Sequence, residues 1–105
     1  MSKKNSVCRK FPNTSKVLVT GISAKRKSMG ISQFKLSEGT GLSRNCIQQM
    51  ECYEHLPRLE TVFEMMLELQ FSEQESKALL WDCLNAYRED KLRQMQRENE
   101  LAGAI

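Results

Sequence analysis

Apolar residues in this chain recur three and four positions apart, and nowhere do they alternate with polar ones as a half-buried strand requires. That periodicity predicts an all-α fold. Leu18, Ile22 and Met29 predict a first helix over about 17–29, stopped by Gly30. Gly21 lies inside it at a cost of roughly 1 kcal/mol against Ala. Ser32 is placed to cap a second helix running to about Thr40, with Phe34 and Leu36 among its apolar residues. Gly41 is free to take positive φ, and Ser43 is placed to cap a third helix to about Cys52. After Pro57, Leu59, Val62, Phe63, Met66 and Leu69 predict the apolar stripe of a fourth helix, and Glu60, Glu64 and Glu68 a solvated face. Ser72 and Glu75 have the spacing of a capping box, with Phe71 at the staple position, so a long fifth helix follows over about 73–99. Its residues 78–87 are apolar nearly all round, whereas from Arg88 onward only Leu92, Met95 and Leu101 remain apolar.

With 105 residues the chain is long enough for one domain with one core. No apolar run approaches the ~20 residues of a bilayer span, and none follows the basic start as in a signal peptide. Cys8, Cys46, Cys52 and Cys83 contain no CxxC spacing, which predicts reduced thiols in a cytosol. One histidine leaves little for His-based catalysis, and Gly39 and Gly41 lack the lysine of a phosphate-binding loop. The expectation is a protein without enzymatic chemistry, cofactor or metal. Charge is divided unevenly along the chain. Residues 1–58 carry 11 Lys/Arg against 3 Glu, while residues 59–105 carry 5 Lys/Arg against 10 Asp/Glu. A basic half suggests a polyanionic partner, and an acidic half suggests water or protein. Residues 1–16, with Lys3, Lys4, Arg9, Lys10 and Lys16, read as a flexible basic arm.

Two short helices joined through a glycine turn, inside a basic bundle, form a helix-turn-helix. The residues carry the reading further. Gly30, Ser32, Gln33, Leu36, Gly41, Leu42, Ser43, Ile47, Met50, Glu51, Pro57, Leu59 and Thr61 fall in register with a longer pattern. Over about residues 18–71 the chain resembles the lambda-repressor-like (Cro/repressor, XRE-type) helix-turn-helix family. Two positions depart from the pattern: Ser37 replaces the usual small residue after Leu36, and Tyr53 stands where a glycine usually follows the recognition helix.

The resemblance implies a five-helix DNA-binding bundle with a basic arm at 1–16, a helix-turn-helix domain at 17–71 and a C-terminal helix at 72–105 for dimerisation. It places Arg44, Asn45, Gln48 and Gln49 on the groove side of the third helix, where arginine suits guanine and the amides suit adenine. Gln33 is expected to bind a phosphate and brace that helix, with Ser43, Lys35, His55 and Arg58 as further backbone contacts. Arg26 and Glu51 are expected to form a structural ion pair. Leu80, Trp81, Leu84 and Tyr87, continuing weakly through Leu92 and Met95, are the expected dimer surface, with residues beyond about Arg88 fraying or pairing loosely.

Cys46, Cys52 and His55 are one ligand short of a zinc site. Redox sensing by Cys46 or Cys52 is a further weak signal. Met65 and Met66 read as core filler. The function implied is a homodimeric, sequence-specific regulator of transcription, such as a repressor, acting by operator occupancy on double-stranded DNA in the cytoplasm, at the nucleoid. The alternative is an antitoxin-like module whose C-terminal helices bind a partner protein, with DNA binding secondary.

Overall fold

The computed structural model describes residues 10–52 and 56–103. These residues form five helices and no strand: α1 (Pro12–Ser28), α2 (Gln33–Thr40), α3 (Arg44–Glu51), α4 (Leu59–Glu68) and α5 (Glu73–Gly103). The expected all-α architecture is what the chain adopts.

The short helices start and stop where local chemistry dictates. The Ser32 hydroxyl accepts from the Lys35 amide at 3.0 Å and the Ser43 hydroxyl from the Cys46 amide at 3.0 Å, each satisfying an orphan donor. Gly41 ends α2 at φ 79°, a left-handed conformation that a Cβ would strain. The capping box at α5 is reciprocal: the Ser72 amide donates to Glu75 at 2.9 Å and the Glu75 amide to the Ser72 hydroxyl at 3.1 Å. The Ser72 backbone bond, then Lys25, holds the Glu75 carboxyl below its ordinary pKa.

Leu18, Val19, Ile22, Leu36, Ile47, Met50, Val62, Met65, Met66, Leu69 and Leu79 form the core. Met65 and Met66 are indeed core residues. α1 lies along α5, and α3 packs against both α1 and α2. A Cβ at Gly21 would stand 2.6 Å from Leu79 Cδ1, so the missing side chain lets α5 approach α1 closely.

Several sequence expectations are corrected. α1 begins at Pro12 rather than near 17, so residues 12–16 are helix and not arm. The fourth-helix stripe is rotated: Val62, Met65, Met66 and Leu69 are buried, while Leu59, Phe63 and Leu67 are exposed in a row. Phe34 and Met29 also face solvent. α5 does not loosen at Arg88. It runs unbroken to Gly103, and Asp90, at 1% exposure, is among the most buried residues.

Asp90 explains the early start of α1. The first turn of α1 carries no acidic residue, its N-cap position is Phe11, and Pro12 brings no N–H. The Asp90 carboxylate supplies the cap from another helix. Oδ1 accepts from the Asn13 amide at 3.2 Å and Asn13 Nδ2 at 3.0 Å. Oδ2 accepts from the Thr14 amide at 2.9 Å and Thr14 Oγ1 at 2.8 Å. Phe11 stacks on Tyr87 with ring centroids 4.8 Å apart, and Gln94 Nε2 donates to the Lys10 carbonyl at 2.6 Å.

Candidate nucleic-acid interface

α3 owes its orientation to its buried back and its tied C-terminal end. Ile47 and Met50 are buried, and Arg44, Asn45 and Gln48, about half a turn away, are exposed. Gln49 is half-buried at the edge of that exposed face.

The tie at the end of α3 is a cluster built around the Glu51 carboxylate. Arg26 Nε donates to Glu51 Oε2 at 2.9 Å and Arg26 Nη2 to Glu51 Oε1 at 3.1 Å, a bidentate pair. Its side chains are only 10% and 11% exposed. Arg26 Nη1 donates to the Ile31 carbonyl at 2.7 Å, fixing the turn between α1 and α2. Gln33 Nε2 donates to Glu51 Oε1 at 2.8 Å. Burial acts to raise the Glu51 pKa, but hydrogen bonds from Arg26 and Gln33 and the Arg26 charge outweigh it, and the carboxyl is held below its ordinary value. α1, α2 and α3 thus converge on one carboxylate, and the expected Arg26–Glu51 contact is present. Gln33 makes the bracing contact expected of it.

Of the expected backbone contacts, Ser43 caps α3, and Lys35 is exposed on α2. Arg58 is exposed at the start of α4, where its Nη1 lies 3.8 Å from Glu60 Oε1. His55 and Tyr53 lie outside the described residues, as does most of the expected arm. Cys46 and Cys83 are half-buried and Cys52 is exposed, all as free thiols. Burial first, then the charge of Asp82, pushes the Cys83 thiol pKa up. Among the described residues no cluster of His, Cys, Asp or Glu could hold a metal ion, and no helix is long and apolar enough to cross a membrane.

Sequence reasoning missed the Asp90 clamp, the exposed row on α4 and Gln70. Gln70 ends α4 at φ 56°, with the Phe71 amide donating back to the Met66 carbonyl at 3.0 Å. The signal available for Asp90 was the uncapped first turn of α1, which needs acceptors from elsewhere. No protein-family model, curated protein or solved structure matches this chain.

Proposed function

We propose that the protein is a sequence-specific DNA-binding regulator of transcription that acts by occupying an operator, with α3 as the recognition helix. The observation that carries this reading is the exposed Arg44, Asn45 and Gln48 on a helix whose opposite face is buried and whose end is tied by Glu51. A polar face fixed to a rigid body reads base edges without paying to order itself. The basic half, including exposed Lys35 and Arg58, supplies phosphate attraction and a salt-dependent share of affinity. Two copies on a palindromic site read two half-sites one turn apart.

Selection of bound duplexes from a random pool tests the proposal and reveals half-site symmetry. Arg44→Ala is expected to cost about 1–3 kcal/mol on the selected site and much less on random DNA. Equal losses on both would reduce Arg44 to a phosphate contact, and failure to enrich any sequence would overturn the reading.

A second reading, the antitoxin-like module, rests on the row Leu59, Phe63 and Leu67 on α4, which are 64%, 45% and 78% exposed. Glu60, Glu64 and Glu68 run beside it, a combination suited to a basic, apolar helix of a partner protein. Leu67→Glu separates the two readings, since it should abolish partner capture and leave DNA selection intact.

A further inference from the structure

α4 and α5 leave a groove between them, floored by α1. Pro57 and Leu59 line it from the start of α4, Leu80 and Cys83 from α5, and Leu18 from α1, around a cleft of about 250 Å³. None of the described residues lining this cleft is charged. The groove stays open because each wall is fixed elsewhere. Leu79 seats against Gly21 and Asp90 clamps the first turn of α1, which holds α5 in place. Val62, Met65 and Met66 hold α4 in the core. Leu59 and Leu80 therefore stand exposed on opposite sides of the gap instead of closing it. Trp81, Leu92 and Met95 are exposed too, but on the side of α5 turned away from α1.

Along α4 the groove continues as the exposed row Leu59, Phe63 and Leu67, whose members lie about 6 Å apart, one turn each. By the 100° step of the helix, Glu60 and Glu64 follow on the outer side of this row. Glu68, further round, lies against Gly39 of α2. Among the described residues Glu64 forms no ion pair, and Glu60 reaches only Arg58, at 3.8 Å. The surroundings are acidic as well, since residues 59–87 carry six Asp/Glu against one Lys. The surface thus joins an open apolar cleft, an apolar row and a negative edge. We propose that it holds a basic amphipathic helix of another protein. One apolar side chain of that helix fills the cleft between Leu59 and Leu80, and the following turns cover Phe63 and Leu67. Its lysines or arginines lie against Glu60 and Glu64.

Charge selects this occupant. Glu60 and Glu64 repel the phosphates of nucleic acid and of anionic lipid headgroups. A second copy laid on the same face brings an α4 without Lys or Arg, so neither acidic edge finds a counter-charge there. Backbone geometry selects it too. An extended peptide finds no sheet edge to join, because the described residues form no strand. A helix needs no such edge, and its side chains one turn apart match the spacing of the α4 row. Both walls of the groove are already fixed, so binding has only the partner to order. The proposal rests on the partner-protein reading and adds to it the groove, the anchoring cleft and the charge of the partner helix.

The probe is a labelled synthetic helix with leucines one turn apart and lysines beside them; its twin carries glutamates in place of the lysines. Fluorescence anisotropy with the full chain should show micromolar binding of the lysine helix and about tenfold weaker binding of the twin. Glu60→Lys together with Glu64→Lys, both at exposed positions, should reverse that preference with helix content unchanged. The bound lysine helix should suppress alkylation of Cys83 on the cleft wall and leave exposed Cys52 as reactive as before. Equal binding of the two helices, or Cys83 unprotected at saturation, would overturn the proposal. Binding lost in Leu67→Ser but untouched by the double reversal would keep the partner surface and overturn its basic occupant. Binding indifferent to both changes would overturn the partner reading as well. A dimer of the unmutated chain that Leu67→Ser dissolves would seat a second copy in the groove, and that too would overturn the proposal.

Discussion

Both ends of α1 are held by a carboxylate from elsewhere in the chain, but by different physics. At the C-terminal end, Glu51 faces the Arg26 guanidinium, so charge is balanced by charge. At the N-terminal end, no cation among the described residues pairs with Asp90. Four donors satisfy it, two of them amides of the first helical turn, where the helix dipole favours negative charge. A charge pair depends on either side chain, and losing one strands the other. Two of the four donors are backbone amides that outlast replacement of the Asn13 or Thr14 side chain, so the clamp is weakened by losing a side-chain donor and broken by losing the carboxylate.

The largest expected effect tests the charged end. Glu51→Leu leaves Arg26 buried without a counter-ion and should cost about 3–5 kcal/mol in urea unfolding. Arg26→Met with Glu51→Leu should cost well under the sum of the single changes, because the second replacement removes the stranded charge. Additive losses would show that the pair acts as two independent residues. The pH dependence has a definite sign. The Glu51 pKa is lowered in the fold, so its stabilisation is complete above about pH 4.5 and drains away as pH falls through the folded value. Glu51→Gln should flatten that part of the acid-unfolding profile.

The uncharged end should respond next. Asp90→Ala strands the Asn13 and Thr14 amides and is expected to cost about 2–4 kcal/mol. Asp90→Asn keeps one acceptor oxygen but turns an NH2 toward the remaining donors, so it should rescue only a minor part. Hydrogen exchange at the first turn of α1 should rise in both variants while the end near Arg26 stays protected. If Asp90→Ala costs less than Thr14→Val, the clamp is incidental and the two ends of α1 do not differ as described.

The smallest effect calibrates the other two. Gln70 holds a left-handed conformation remote from both carboxylates. Gln70→Gly relieves about 1–2 kcal/mol of strain. It adds back about 0.5–1 kcal/mol of chain entropy, so a gain of under about 1 kcal/mol is expected in thermal unfolding. A loss would mean that the Gln70 side chain contributes more than its backbone costs.

Legibility along the chain follows the range of the interactions. Ser32, Ser43 and the Ser72–Glu75 box were readable because cap and capped amide lie three residues apart. The Arg26–Glu51 contact spans 25 positions and was readable only through the longer pattern around it. Asp90 and Thr14, 76 positions apart, had no such pattern, and Asp90 sits in a charged stretch that reads as solvated surface.

The sequence by itself determined that the chain is helical and where α2 to α5 begin, because helix starts and turns are decided within one turn of backbone. Tertiary structure decided where α1 starts, since its first amides find their acceptors on α5. It also chose which apolar row of α4 is buried. Leu59, Phe63 and Leu67 lie next to Val62, Met66 and Leu69 around the helix, and both rows satisfy the same 3.6-residue period. Periodicity sets the width of an apolar surface. Only the neighbouring helices determine which part of that surface is covered.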